Sequence, residues 1–268
     1  MTLPAPIICQ KKLPIMPWMA AGGVRLPGLS PVSTADWLVR DDVFAAQMAY
    51  RDHLVKNRQA HVYACLPQAE PSARELLEIL LAELPSNDAA YTKRGSTLTR
   101  PDNISIETKT VAPLLTAGRL AQEDFALMQK EDGTYRLTGG LICFPAHWQL
   151  QRKIGKTLTG LHAPVAEYTA DIAARTLRIF DHLRPETPLM RANVLIYTNP
   201  DLHQPAAEKK TVAKDAPRFV RVERQTLRRL PRTGAIAFAI HTYQIPAQAL
   251  APEQFAALAA RRPDIVDG

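Results

Sequence analysis

The sequence has little cysteine. Cys9, Cys65 and Cys143 are its only three, widely separated and without a CxxC pair. Such spacing builds neither a disulfide framework nor a zinc cluster, so a reduced, cytoplasmic setting is expected. CxxCH is also missing, which excludes covalent haem attachment through that motif. No apolar run reaches the roughly 18 residues of a membrane span, and the start MTLPAPIICQKKLPIM lacks a basic segment followed by an apolar one. Neither a membrane span nor a secretory leader is expected. GxxxxGKS, GxxxxGKT, GxSxG, HExxH and a GxGxxG set between strand and helix are all absent, so nucleotide, hydrolase and metalloprotease signatures are not visible.

Apolar residues make up 46% of the chain, enough for a sizeable core, and 22 prolines imply many short connections. The net charge of +7 fits an anionic partner, nucleic acid, or carboxylates and phosphates on a ligand. Arg218, Arg221, Arg224, Arg228, Arg229 and Arg232 crowd into one stretch, where a local anion site is plausible.

Prolines at 4, 6, 14, 17, 27 and 31 make the first thirty residues an irregular strap. Ser33 and Asp36 have capping-box spacing, and Val43, Ala46, Tyr50 and Leu54 recur as in a helix. Ser72 and Glu75 repeat the spacing before a Leu76, Leu77, Leu80, Leu84 stripe that Pro85 should stop. Residues 86–113 are weakly patterned and read as a connection. A hairpin follows, with Gly133 in the bend, and Pro145 ends its second strand. HWQLQRKIG and VAEYTADIAARTLRIFDHL read as helices, the latter with Ile172, Thr176, Ile179 and Leu183 on one face. RANVLIY, FVRVERQTL and GAIAFAIHTYQIP read as strands, and PRTG as the turn between the last two.

The expected class is α+β: an antiparallel sheet with helices on one face, whose order matches a PAS-like fold, behind an N-terminal helical extension. The corresponding divisions are 1–113 for strap and extension, 114–248 for the PAS-like domain, and 249–268 for a C-terminal helix and tail.

His162 lies between Gly160 and Pro164, just ahead of a long helix. One neutral imidazole could hold a haem iron there, with Leu158, Leu161, Val165, Ile236, Phe238 and Ile240 as apolar walls. A capping or satisfied core histidine fits the spacing equally. His147 and His241 are the other candidate iron ligands. Strand alternation places Arg221, Glu223 and Gln225 on one face of RVERQT and Val222, Arg224 and Thr226 on the other. A buried Arg and Glu could polarise dioxygen and orient a cationic amine; a solvated edge strand is the other reading. Arg228 and Arg229 could hold propionates, Tyr168 and Tyr243 could donate hydrogen bonds, and Phe144, Pro145 and Trp148 read as packing.

DWLVRDD, LAQEDFALM, the stretch from FPAHW to KIG, LHAPVAEY, RAN and above all RVERQTLRRLPRTGAIAFAIHTY resemble the haem-dependent oxidative N-demethylase family over most of the chain. Leu161 and Ala166 stand where the family motif commonly has Ile and a second Pro. The resemblance implies a PAS-like domain holding b-type haem, which oxidises a small methylated secondary amine such as dimethylamine with dioxygen and releases formaldehyde. It implies a partner reductase carrying flavin and an iron–sulfur cluster, drawing on NADPH, with tetrahydrofolate also used. Carried over by position, His162 is the iron ligand and the RVERQ strand supplies the distal polar groups; from the residues themselves, Arg224, Glu223 and Tyr168 are the expected catalytic groups, and Arg221, Arg228 and Phe238 are expected to help hold the cofactor. Nucleic acid and membrane are not expected partners. A haem or small-ligand sensor without turnover and a basic nucleic-acid-binding module are the alternatives.

Overall fold

Capping-box spacing at Ser33 and Asp36 folds as a local turn: Asp36 N–H donates to Ser33 Oγ at 3.1 Å, and Ser33 Oγ donates to Asp36 Oδ2 at 2.6 Å. No helix follows it directly. In the computed structural model, which describes residues 5–20, 28–162, 170–206 and 216–262, a short strand β1 (Ser30–Pro31) precedes this turn and helix α1 spans Phe44–Val62. Strand β2 (Tyr63–Cys65) leads through a 3-10 turn at Pro67–Ala69 into α2 (Glu70–Asn87).

α2 starts before the expected cap, with Pro71 in its first turn, where a missing N–H costs nothing. Ser72 and Glu75 are instead buried inside it and serve other elements. Ser72 Oγ accepts from Gln129, while Glu75 accepts the backbone N–H groups of Arg232 and Thr233 at 2.6 and 2.8 Å. Pro85 stands within the last turn, and the helix runs on to Asn87. Leu76 and Leu80 are fully buried, each contributing about 1.5–3 kcal/mol by leaving water.

The segment 86–113 is not a bare connection. It holds a three-stranded antiparallel sheet of β3 (Thr92–Arg94), β4 (Thr97–Thr99) and β5 (Ser105–Glu107), with Leu98 and Ile106 buried beneath. Each of these strands is three residues long and buries at most one side chain, so no alternation could accumulate.

After α3 (Pro113–Gly118) comes the hairpin β6 (Asp124–Glu131) and β7 (Thr134–Leu141). Its Asp132–Gly133 turn has φ of 50° and 77°, the paired positive values of a type I′ turn, which glycine adopts without strain. Then follow α4 (Leu150–Lys153), α5 (Leu158–His162), α6 (Ala170–His182), β8 (Leu189–Tyr197), β9 (Phe219–Arg229), β10 (Ile236–Pro246) and α7 (Pro252–Ala259).

The large sheet is antiparallel throughout, in the order β1-β8-β9-β10-β6-β7-β2, so the chain is mixed helix and antiparallel sheet. Its middle five strands come from 124–246, and both edges come from the first 65 residues; packing is continuous across position 113. Period-two alternation splits the sheet into two apolar faces. Phe125, Leu127, Ala237 and Ala239 pack against α2 and α3. Ala126, Met128, Leu227, Ile236 and Phe238 pack on the other side with Leu158 and Leu161 of α5 and Leu177 and Phe180 of α6. Among the described residues no helix is long and apolar enough to cross a membrane.

Candidate functional site

The face under α5 and α6 combines an apolar floor with an isolated group of polar side chains. Registers place Leu189, Leu227, Phe238 and Ala126 in one row across β8, β9, β10 and β6. The next row is Arg191, Gln225 and Ile240, and the one after it Asn193, Glu223 and Thr242. Phe238, Leu189, Leu161 and Leu177 are only partly buried, so the floor beside the polar rows keeps apolar surface uncovered.

Glu223 is 5% exposed and held from three sides. Arg221 approaches Oε1 at 3.1 Å, while Asn193 Nδ2 and Gln225 Nε2 donate to Oε2 at 3.1 and 3.2 Å. Arg221, fully buried, also donates to the carbonyls of Leu202 and Phe144 and to Thr242 Oγ1, with its guanidinium 5.8 Å from the Tyr197 ring. Phe144 belongs to the loop after β7, whose N–H groups at 143 and 144 donate to Asp124 at 2.9 and 2.8 Å. Asp124 in turn pairs with the buried Arg51 at 2.7 Å. A buried charge chain thus runs from Arg51 through Asp124, the 143–144 backbone and Arg221 to Glu223, fixing a carboxylate in the polar rows beside the apolar floor.

Glu223, Arg221 and Phe238 therefore lie on the face beneath α5. His162 is the last residue of α5; its imidazole and the whole of Tyr168 and Val165 lie outside the described residues. Arg224 and Arg228 are not part of this face. Arg224 donates to the carbonyls of Trp37 and Asp36 on the opposite side of the sheet. Arg228, on that side too, forms a two-pronged pair with Glu83 at 2.7 and 2.8 Å and lies 4.9 Å from the Trp37 ring. Alternation along the strand forces this separation: Glu223 and Arg224 cannot both reach one pocket. Arg229 shares the α6 side but is occupied, donating to Leu183 O at 2.7 Å, Gly234 O at 2.8 Å and Tyr135 Oη at 3.2 Å.

His241 is not free to bind iron. It is fully buried on the α2 side, with Nδ1 3.2 Å from Glu123 Oε1 and Nε2 3.1 Å from Asp41 Oδ2. Burial alone would favour the neutral ring, but the two carboxylates outweigh it and lift the imidazole pKa above its ordinary value. His147 sits at φ 58° with its ring edge-on to Tyr197, centroids 4.9 Å apart. Tyr243 is buried beside His241, and burial pushes its phenol well above the usual range. Trp148 packs at the rim of the apolar floor, the packing role expected of it.

Two residues of this face escaped the sequence reading, Arg191 and Asn193. Their signal was the RAN element, whose two polar residues at i and i+2 fall on one side of β8. The face suits a haem. A haem needs only one protein ligand, and the candidate, His162, has its imidazole outside the described residues. Half-covered aliphatic and aromatic side chains form a floor for a flat macrocycle, and a fixed carboxylate and a guanidinium stand beside it. A family model described as haem-dependent oxidative N-demethylase, alpha subunit-like, matches residues 28–263.

Proposed function

Because the chain belongs to the haem-dependent oxidative N-demethylase alpha subunit-like family, we propose that it is the haem-carrying subunit of a multi-subunit oxidase acting on a small methylated secondary amine. The observation that supports this most directly is Glu223, an anion fixed on the same side of the sheet as the apolar floor that packs against α5, the helix that ends in His162. A cationic amine needs such a partner, and the low-dielectric surroundings strengthen the contact.

In this reading the cofactor is b-type haem held without covalent links, and His162 is its iron ligand. Phe238, Leu227 and Ile240 form the apolar wall on the sheet side. The haem, when bound, supplies the redox iron that dioxygen chemistry requires. Glu223 accepts the amine N–H and orients its methyl group. Arg221 acts through Glu223 as a positioning residue, holding the carboxylate in place. Tyr168, outside the described residues, is the proposed hydrogen-bond donor. The net conversion takes the amine, dioxygen, an electron pair and protons to the demethylated amine, formaldehyde and water. The electrons come from a partner reductase, proposed to carry flavin and an iron–sulfur cluster and to use NADPH.

The chain order of hairpin, helices and three strands, with β10 returning beside β6, supports a PAS-like assignment for the sheet. The cytoplasm is the proposed compartment, a reduced setting that the unpaired Cys9, Cys65 and Cys143 suit.

The visible spectrum of protein produced with haem tests the reading. A Soret band is expected in the wild type and should be lost or displaced in His162→Ala. Formaldehyde should form from dimethylamine when a reductant and dioxygen are supplied. Failure to take up haem would refute the reading; haem uptake with no product from any methylamine would make the chain a haem sensor of the same fold.

A further inference from the structure

Four of the arginines on the central strands have named acceptors: Arg221, Arg224, Arg228 and Arg229 each donate to backbone carbonyls, carboxylates or hydroxyls. Arg191 differs. It stands on the same face as Asn193, opposite Gln225 and one step diagonally from Glu223, yet among the described residues it makes no hydrogen bond or ion pair. Its side chain is substantially buried, and burial, offset in part by Glu223, lowers its pKa from the arginine norm. An arginine does not lose its proton under such conditions, so the face holds a partly buried guanidinium with no hydrogen-bonded acceptor among the described residues.

Glu223 acts on Arg191 only through space: its Oε1 faces the cationic Arg221, its Oε2 accepts from Asn193 and Gln225, and it forms no ion pair with Arg191. The adjoining row is apolar, with Leu189 on the same strand face and Leu227 beside it. A guanidinium in this position presents a planar fork that fits a carboxylate two-pronged, attached to a body that lies on the apolar floor.

We infer that Arg191 is a carboxylate-binding residue of this face. The assignment rests on the reading of the face as a ligand pocket. The carboxylate has two possible sources: a propionate of the cofactor, or the acid group of a substrate that is both a secondary methylamine and a carboxylate. In the second case Glu223 and Arg191 together hold the two charges of an N-methyl amino acid.

The test uses the full chain and its Arg191→Gln variant. Each is titrated with haem and with haem dimethyl ester, which lacks the acid groups, and the haem-loaded forms with dimethylamine and N-methylglycine, followed by the visible spectrum. A propionate anchor predicts that the wild type prefers haem over the ester by about tenfold or more and that the variant loses this preference. A substrate anchor predicts that N-methylglycine weakens by a similar factor in the variant while dimethylamine and both haem forms are unchanged. Arg191→Lys, which keeps the charge but not the fork, carries the same comparisons if the glutamine variant does not fold, and should recover only part of the effect. Haem uptake with all four titrations indifferent to Arg191 overturns the inference alone; no haem uptake by the wild type overturns it together with the haem reading.

Discussion

Glu223 and Arg224 are neighbours in β9 and belong to opposite sides of the sheet: Glu223 is bound by Asn193 under the α5–α6 layer, and Arg224 by the Trp37 and Asp36 carbonyls beyond it. Substitutions at the two positions should therefore fail in different ways. Glu223→Gln keeps the size but leaves the buried Arg221 without its charged partner, so it should lose about 3–5 kcal/mol of stability and its amine-induced spectral change should weaken about tenfold or more. Arg224→Ala leaves two carbonyls without their donor and should cost about 2–3 kcal/mol of stability, with the amine response intact. Thermal unfolding and amine titration of both variants decide the matter. An Arg224 variant that keeps its stability and loses amine binding would contradict the assignment of faces.

The two-faced character of β9 was legible because an 11-residue strand repeats its alternation many times. The same holds for the apolar walls at Ile236, Phe238 and Ile240, which do fall on one face. Placing Arg224 and Glu223 in a single pocket follows from their charges but not from their directions, since they bond on opposite sides of the sheet. Nothing in the local sequence around Arg228 announces Glu83, its partner 145 residues away. The strands at 92–107 were invisible for a different reason, having at most one buried residue each. Arg191 and Asn193 in RAN share one side of β8 by alternation, and their partners across β9 show that it is the side of Glu223.

His241 predicts a pH dependence of stability. Its folded pKa is raised above the ordinary value of about 6.5, so its stabilising contribution is complete below that value and is lost as pH rises through the folded pKa. Asp41 behaves oppositely: its folded pKa lies below about 3.8, so its contribution is present above that value and lost as pH falls. The wild type should therefore melt at a lower temperature at pH 9 than at pH 6. His241→Gln leaves Asp41 and Glu123 without a cation and should cost about 3–5 kcal/mol near pH 6. Its melting temperature should be flatter between the two pH values. Parallel curves for wild type and variant would show that His241 does not carry the dependence.

Gly118 and Leu141 meet where α3 packs against β7. A Cβ at position 118 would lie 2.2 Å from Leu141 Cδ2 and 3.1 Å from Leu141 Cβ, too close for the flexible end of the leucine alone to relieve. Gly118→Ala should therefore destabilise by about 1–3 kcal/mol through overpacking. The added methyl should be tolerated better once the leucine is shortened, so Gly118→Ala with Leu141→Ala should cost less than the two single changes together. Denaturant unfolding of the double-mutant cycle measures this, and strict additivity would mean that the two residues do not share the constraint.

Arg228 separates a structural cation from a cofactor-binding one. Its guanidinium is bound by both oxygens of Glu83 and faces the Trp37 ring, whose Nε1 also donates to Glu83 at 2.9 Å. This arrangement ties β9 to α2 and to the segment before α1, on the side of the sheet away from α5. Arg228→Gln should lower stability by about 1–3 kcal/mol through loss of the charged pair and the ring contact. Haem loading, measured as Soret absorbance per folded chain, should be unchanged. A propionate-binding arginine would give the reverse, a folded protein with weakened haem affinity. That result at Arg228 would place the cofactor on the α2 side of the sheet and remove Glu223 from its surroundings, because one haem cannot contact both faces.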